Sequence, residues 1–290
     1  MSLFRRRKGI ETKTEDQLRA MRRAGLVVAD TLALAQERAV AGITTRELDA
    51  LAEDAIRSRG ALPSFLGYHG FSGSLCISVN DEVVHGVPGE RVLQDGDLVS
   101  VDCGAIVEGW HGDAAVSLVV GGRDRCGRPE DLALMDDTRA SLWEGIAALK
   151  AGGRLFAVGD AVQGFLDLAV ERRRAEGVVT GYGILEDFVG HGIGREMHMD
   201  PNVPNYRVTA PGPTVPSGST FAIEPMVTLG SIETRTLDDD WTVVTTDGTR
   251  AAHWEHTVAV TDAGLWVLTA HDGGREELAA RGVPFAPLAH

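Results

Sequence analysis

The chain has 290 residues, of which 43% are hydrophobic and 24% are charged, a composition typical of a soluble globular protein. Its formal net charge of −14 excludes a basic nucleic-acid-binding surface over most of the molecule. The exception is the run Arg5-Arg6-Arg7-Lys8. This run is either a solvated tail or a weak contact to RNA or the ribosome.

Neither a targeting segment nor a disulfide framework is predicted. No apolar stretch follows the basic run, so it is not a signal peptide. The most apolar early segment, residues 26–34, is interrupted by Asp30 and is too short to span a membrane. Cys76, Cys103 and Cys126 form an odd set without paired spacing. We therefore expect a cytoplasmic protein without DNA or membrane partners.

In the first half of the chain, two capping boxes predict two helices. Thr14 and Gln17 begin a helix that continues to about Gln36, and Thr44 and Glu47 begin a second one that ends at Gly60. Strand-like apolar runs follow at residues 75–79, 98–103 and 114–120.

The second half repeats this order of helix, helix and strands. Helices are predicted at residues 130–150 and 158–176, and strands at residues 220–228, 242–246 and 253–260. Ala41-Gly42 and Ala151-Gly152 precede corresponding helices at an offset of 110 residues. The sequence thus predicts an α+β fold of two helix-helix-sheet halves that face each other across a cleft. The Pro-rich stretch 201–216 is predicted to be an ordered loop or a lid, and residues after 270 carry no clear pattern.

Two carboxylates flank a predicted hairpin in the first half. Asp102 ends one apolar run, Asp113 precedes the next, and Glu108-Gly109 between them has turn character. In an antiparallel hairpin the two acids lie opposite each other or nearly so, within one residue of register. Paired carboxylates repel unless one holds a proton or a cation lies between them. The alternative is that one of them is a solvated strand-end acid.

The second half contributes three more groups of the same kind. Glu224 lies inside an apolar run, Glu255 precedes another, and His191 lies between glycines. Each alone is compatible with a structural role. Together with Asp102 and Asp113 they carry four negative charges, which matches two divalent cations. Oxygen-rich ligation with one imidazole favours Mn²⁺, Fe²⁺, Co²⁺ or Zn²⁺, and two such ions can activate a water molecule in an aminopeptidase.

Five segments, in this order, make the chain resemble the type I methionine aminopeptidases, in their short bacterial form. They are GYHGFSGSLCISVNDEVVHGVP, DGDLVSVDCGAIVEGWHGDAA, GHGIGREMH, FAIEPMV and WTVVTTDGTRAAHWEHTVAVTD. The resemblance implies a pita-bread fold of two pseudo-symmetric halves. It divides the chain into a basic tail (1–13), one catalytic domain (14–270, with repeats 14–129 and 130–270) and a C-terminal tail (271–290).

The resemblance also implies the roles of the five ligand candidates. Asp113 and Glu255 would bridge two divalent metal ions, Asp102 would chelate one ion, and His191 and Glu224 would hold the other. Glu224 would in addition accept a proton from the attacking water. The implied reaction is removal of the initiator methionine from newly made proteins, by a monomer whose partners are nascent N-termini.

Further positions match the family's substrate-binding residues. His85 and His198 would hydrogen-bond the scissile amide and carbonyl of the substrate. Tyr68, Phe71, Cys76 and Trp241 would line the methionine pocket. Phe65 and Val84 replace common cysteines, and Met197 replaces a common aromatic residue. These changes keep the pocket apolar, so we expect them to affect its tightness and not the chemistry.

Two other interpretations remain open from the sequence. The first is a proline-specific peptidase of the same fold, although those enzymes usually carry a large N-terminal domain and this first half begins by residue 14. The second is a metal-free scaffold relative, which would be expected to lack ligands, whereas none of the five is missing.

Overall fold

The computed structural model describes residues 9–288, so the basic run at residues 5–8 lies outside the described part of the chain. Five α-helices occur within it: α1 Glu15–Arg38, α2 Thr45–Ser58, α3 Pro129–Ala147, α4 Ala157–Ala175 and α5 Arg275–Ala280. Short 3₁₀ turns lie at Tyr68–Gly70 and Arg123–Arg125.

The strands of the first half are β1 Leu62–Pro63, β2 Leu75–Val79, β3 Glu82–Val84, β4 Leu98–Val107 and β5 Trp110–Val119. Those of the second half are β6 Gly183–Ile184, β7 Gly190–Gly192, β8 Met199–Val203, β9 Ser219–Ile223, β10 Met226–Thr228, β11 Thr234–Thr236, β12 Val243–Thr245, β13 Ala251–His253, β14 His256–Thr261 and β15 Gly264–Val267. The sheets run in the orders β1-β4-β2 with β5 on β4, β13-β10-β6, β11-β12-β3, and β15-β14-β9-β7-β8.

Both predicted capping boxes are confirmed at the starts of α1 and α2. The Thr14 hydroxyl accepts from the Gln17 backbone N–H, and Gln17 Oε1 accepts from the Thr14 N–H at 2.9 Å. Thr44 and Glu47 make the same reciprocal pair. Each box satisfies two backbone donors that a helix start leaves free, so local sequence alone determines where both helices begin.

The repeat predicted between the halves corresponds to a repeated turn and helix. Gly42 before α2 and Gly152 before α4 both have positive φ, 98° and 75°, which glycine adopts without steric cost. The matched positions Leu48 and Val158 are both buried, each in the core of its own half. The α1–α2 and α3–α4 pairs therefore cover the sheets in the same way, as two helix-helix-sheet units do.

The hairpin of β4 and β5 has the predicted turn and a register within the predicted range. Glu108 and Gly109, with φ of 52° and 77°, connect the strands as a two-residue turn with both central residues at positive φ. Asp102 faces Ala115 and Asp113 faces Gly104. The two acids are thus not directly opposite but lie diagonally, two residues apart, on the same face of the hairpin.

Helix α1 packs unusually close to this hairpin. A Cβ atom on Gly25 would lie 2.1 Å from the Leu268 carbonyl oxygen, and one on Gly112 would lie 2.7 Å from the Gly25 nitrogen. Two glycines therefore allow the backbones of α1, β5 and the segment after β15 to meet. This contact holds the strand that carries Asp113 against the outer helix layer.

Two predicted strands are each broken in the middle. The run predicted at 220–228 divides into β9 and β10 at Glu224-Pro225, and the run predicted at 253–260 divides into β13 and β14 at Trp254-Glu255. Pro225 cannot donate a ladder hydrogen bond, which explains the first break. Each break lies at a predicted metal ligand, and β9 and β10 belong to different sheets.

The segments at both ends of the described chain pack onto the fold. The backbone N–H of Lys13 donates to the Gly218 carbonyl at 2.7 Å. At the other end, α5 places Leu278, which is fully buried, in the core of the second half. The part of the C-terminal tail that was predicted to lack a pattern therefore contains a helix that completes a core. Between residues 9 and 288, no helix combines the length and apolar character needed to cross a bilayer.

Leu278→Ala should lower the free energy of unfolding by about 2–5 kcal/mol, because it removes a fully buried side chain from the core. Leu168→Ala is the matched control, since Leu168 is 66% exposed and its loss should cost less than about 0.5 kcal/mol. Chemical denaturation of both variants measures the difference. Equal stabilities would contradict the role of α5 in the core.

Candidate metal centre

All the residues predicted for the site line one cavity of about 110 Å³. Of the described residues that line this cavity, Val84 is the one that was not predicted as a site residue. The cavity residues are Phe65, Tyr68, Phe71, Cys76, Val84, His85, Asp102, Asp113, His191, Met197, His198, Glu224, Trp241 and Glu255. Residues from both halves of the chain therefore meet at one place, while the role of each remains a prediction.

Three of the carboxylates surround the small residue Ala115. Asp102 pairs with Ala115 from β4, and the Glu255 backbone exchanges hydrogen bonds with Ala115 from the other side, at 3.0 and 3.3 Å. Asp113 lies two residues before Ala115 on the same strand. The Thr257 hydroxyl accepts a hydrogen bond from the Asp113 N–H and donates one to the Asp113 carbonyl. These bonds are a second link between the two halves of the chain. Since side chains alternate along a strand, Asp102 and Asp113 share one face.

The second half adds the imidazole and the fourth carboxylate. His191 on β7 pairs with Ala222 on β9, and Glu224 follows Ala222 by two residues. The Nε2 atom of His191 lies 3.4 Å from Glu224 Oε1. His191 Nδ1 is 2.9 Å from the Gly192 carbonyl, which can only accept, so Nδ1 carries the proton and Nε2 presents a lone pair. Ligand atoms of Asp113, His191 and Glu255 all lie within 4.8 Å of one another.

Burial and mutual repulsion make the charged forms of these acids costly. Burial raises the pKa of Asp102 to about 7. Burial, followed by repulsion from the neighbouring acids, raises the pKa values of Asp113, Glu224 and Glu255 well above their ordinary range. Burial lowers the pKa of His191 to about 3, so its imidazole is neutral at pH 7.

The donor set fits divalent cations. One carboxylate oxygen each of Asp102, Asp113 and Glu255 is buried without a hydrogen-bond partner. Among the residues that the structure describes, no lysine or arginine lines the cavity. Unpaired buried carboxylate oxygens are rare in folded proteins, and cations resolve both the missing partners and the repulsion.

The wall beside the carboxylates is apolar. Phe65, Phe71, Cys76 and Met197 form one buried cluster, with Tyr68, Val87 and Trp241 packed against it. Phe71 meets Trp241 edge to face, with ring centroids 5.2 Å apart. Two of the three departures from the family pattern, Phe65 and Met197, thus pack in the same cluster. The wall is suited to an uncharged, flexible side chain.

The two histidines proposed to contact substrate lie between the carboxylates and this wall. His85 has a φ of 59° and packs edge-on to Phe188 and Trp241, with ring centroids 5.5 and 6.0 Å away. The next residue, Gly86, lets the backbone pass close to β2, because a Cβ there would lie 2.2 Å from the Ile77 carbonyl oxygen. Burial lowers the pKa of His85 to about 4 and also lowers the pKa of His198.

Sequence reasoning missed two further histidines next to the carboxylates. His253 is buried, its Nε2 has no hydrogen-bond partner, and this atom lies 3.9 Å from Glu255 Oε2. The Nδ1 atom of His111 forms a hydrogen bond with Ser64 Oγ at 3.0 Å. Each precedes a ligand candidate by two residues in a strand-like run. The alternation of side chains could therefore have indicated both.

Comparison with known proteins agrees with this geometry. The model of metallopeptidase family M24 matches residues 19–262. Methionine aminopeptidase 1 of Mycobacterium tuberculosis is 49% identical over 271 residues, which cover 93% of this chain and 98% of that protein. The chain belongs to the methionine aminopeptidases of metallopeptidase family M24. As a metallopeptidase of this family, it uses divalent metal ions.

Solved structures give the same assignment and show the fold. The crystal structure of methionine aminopeptidase from Thermotoga maritima has a TM-score of 0.80 and 39% identity, and the match covers 90% of this chain and all of that one. Prolidase from Pyrococcus furiosus has a TM-score of 0.68 at 21% identity, and the match covers 89% of this chain and 65% of that one. The shared architecture is the pita-bread fold, and the prolidase match extends to the fold alone.

Without metal, the protein should lose stability as the pH rises from about 7 to 8. Above pH 7 the histidines are neutral in both states, and the folded acids have raised pKa values, so the folded state there binds more protons than the unfolded state. Mn²⁺ replaces those protons, so the gain in Tm on adding Mn²⁺ to EDTA-treated protein should be larger at about pH 8 than at about pH 5.

Differential scanning fluorimetry at both pH values measures this gain. Asp113→Asn is the control, because it removes one buried charge and one ligand candidate, and its Tm should respond less to both pH and Mn²⁺. Melting curves at pH 8 that are the same with EDTA and with Mn²⁺ would contradict the assignment of the centre.

Proposed function

We propose that this protein removes the N-terminal initiator methionine from newly made proteins and peptides. The observation that carries the proposal is the position of four carboxylates, two of them buried and two partly buried, and a neutral imidazole at the end of an apolar pocket. The pocket receives the methionine side chain, and the carboxylates lie where the scissile bond would then be.

The five ligand candidates would hold two divalent ions, which could be Co²⁺, Mn²⁺, Fe²⁺ or Zn²⁺. Asp113 and Glu255 would be the ligands shared by both ions, since both belong to the group whose ligand atoms lie within 4.8 Å of one another. Asp102 would hold one ion, and His191 with Glu224 would hold the other. When bound, such ions polarise the substrate carbonyl and lower the pKa of a water molecule toward 7.

The remaining steps belong to side chains of this chain. Glu224 takes the proton of the attacking water and returns it to the leaving amine, a task that suits a carboxyl whose pKa burial has raised. His85 and His198 are neutral near pH 7, and they hydrogen-bond the scissile amide and carbonyl. One such contact to a developing oxyanion contributes about 10²–10³ in rate.

The apolar cluster provides the selectivity for methionine. Phe65 and Met197 fill its wall, and Met197 adds a flexible thioether that adapts to the bound side chain. Every residue of this cluster is uncharged, so a charged first residue would lose its hydration without gaining a partner.

We also propose that the protein acts as a monomer in the cytoplasm on nascent N-termini. A contact to the ribosome would involve the basic run at residues 5–8, outside the described residues. A same-fold proline-specific peptidase is the second candidate, but the identity of this chain to methionine aminopeptidases is about twice its identity to the prolidase. A metal-free scaffold is disfavoured because all five ligand candidates line one cavity.

An assay with Met-Gly-Met and an Ala-Pro peptide tests the proposed function. Methionine should be released from Met-Gly-Met, EDTA should abolish the release, and Co²⁺ or Mn²⁺ should restore it. Metal analysis of the purified protein determines which ion is present and how many are bound. A preference for the Ala-Pro peptide would contradict the proposal, and absence of both metal and activity would favour the scaffold.

Two histidine variants separate metal binding from substrate contact. His191→Ala should lose bound metal and activity together, because it removes the only imidazole assigned as a ligand. His198→Ala should retain metal and lower kcat by about 10²-fold, the effect of losing one oxyanion donor. His271→Ala is a control at a 58% exposed side chain. Full turnover by His198→Ala would show that its assigned role is wrong.

A further inference from the structure

Two neighbouring histidines of the cavity differ in the partner of their Nδ1 atoms. The rings of His191 and His198 lie with centroids 4.3 Å apart, and both line the cavity that holds the carboxylates. His191 Nδ1 contacts the carbonyl of Gly192, whereas His198 Nδ1 contacts the hydroxyl of Tyr68 at 2.9 Å. In a neutral imidazole, the partner of one nitrogen determines whether the other carries a proton.

The carbonyl partner leaves His191 one choice. A carbonyl oxygen cannot donate, so His191 Nδ1 must, and Nε2 keeps its lone pair. That lone pair lies 3.4 Å from Glu224 Oε1, where a cation could be shared between the two residues. The tautomer of His191 is therefore the one that a metal ligand requires.

The phenol partner of His198 favours the opposite tautomer. A phenol O–H is a good donor and an imidazole nitrogen is a better acceptor than a phenol oxygen, so Tyr68 donates to His198 Nδ1. Burial, followed by the negative charge of Glu196, raises the pKa of Tyr68, which keeps its hydroxyl protonated. His198 Nε2 is then the protonated nitrogen and the donor.

We propose that Tyr68 is a positioning residue that sets the tautomer and orientation of His198, so that His198 Nε2–H can donate to the substrate carbonyl. This inference rests on the proposed function, and it gives Tyr68 a role beyond lining the methionine pocket. The hydroxyl of Tyr68 acts only through His198 and does not touch the reacting atoms.

The local backbone keeps Tyr68 in place for this task. Its N–H donates to the Phe65 carbonyl and its carbonyl accepts from the Phe71 N–H, both at 2.9 Å. The next residue, His69, has a φ of 46° and packs edge-on to the Tyr68 ring at 4.4 Å. A phenol that only filled space would not require this closed turn, whereas one that must meet His198 at hydrogen-bond distance does.

A double-mutant cycle tests whether Tyr68 acts through His198. Tyr68→Phe keeps the ring, and it should lower kcat for Met-Gly-Met on the order of tenfold with a KM changed less than about twofold. Combined with His198→Ala, it should lower kcat no further than His198→Ala alone. Tyr206→Phe is the matched control, since its hydroxyl donates to the Glu186 carbonyl at 3.4 Å and lies outside the cavity lining.

Nitrogen NMR of the full-length, metal-free protein tests the tautomer without reference to activity. The His198 signals, assigned by their loss in His198→Ala, should show a protonated Nε2 in the wild type. In Tyr68→Phe the His198 signals should shift toward a mixture of the two neutral tautomers or toward the tautomer protonated at Nδ1. In Tyr206→Phe they should stay as in the wild type.

The outcomes separate this inference from the proposed function. Wild-type protein that fails to release methionine contradicts the proposed function, and the NMR result still decides the tautomer. If the wild type is active but its His198 is protonated at Nδ1, the inference is overturned. It is also overturned if Tyr68→Phe lowers kcat further in the His198→Ala background, or if it raises KM alone, because Tyr68 would then act directly on substrate.

Discussion

The four carboxylates of the cavity, two of them buried and two partly buried, carry more negative charge than the described residues around them can neutralise. No lysine or arginine of residues 9–288 lines the cavity, and three carboxylate oxygens there have no hydrogen-bond partner. Metal-free protein must therefore keep protons on these acids, as their raised pKa values indicate. Divalent cations remove this constraint, so metal binding and folding stability are coupled at the place where the two halves of the chain join.

The β-structure brings the ligands together by register and not by proximity in sequence. Ala115 has Asp102 on one neighbouring strand and Glu255 on the other, and its small side chain leaves room for the acids around it. The breaks at Glu224-Pro225 and Trp254-Glu255 then interrupt the ladders at two of the ligand positions. Regular strands would alternate these side chains between faces, whereas breaks let the chain turn and aim each carboxylate separately.

Local signals in the sequence were sufficient for some parts of the structure and not for others. Capping boxes at Thr14 and Thr44 are short-range hydrogen-bond patterns, so the helix starts could be read from neighbouring residues. The diagonal relation of Asp102 and Asp113 depends on the register of a long hairpin. The sequence predicts this register only to within one residue, so it does not distinguish a diagonal pair from a directly opposite one. The docking of Leu278 depends on a core formed by residues far away in the chain, and no local pattern reports it. The five ligand candidates could be grouped by their charges and by the two facing halves, whereas the substrate-binding residues were accessible only through the family resemblance.

The cavity also shows how two histidines, with ring centroids 4.3 Å apart, could perform two different tasks, metal ligation and substrate contact. An imidazole can offer a lone pair or an N–H, and its own sequence position does not determine which. At His191 the choice follows from a backbone carbonyl, which accepts only. At His198 it follows from a side-chain hydroxyl, which a single substitution can remove. The proposed ligation by His191 is thus tied to the main chain of the fold, and the proposed substrate contact of His198 depends on one exchangeable side chain. The chemistry of such a site is therefore determined by the partners behind the histidines as much as by the histidines themselves.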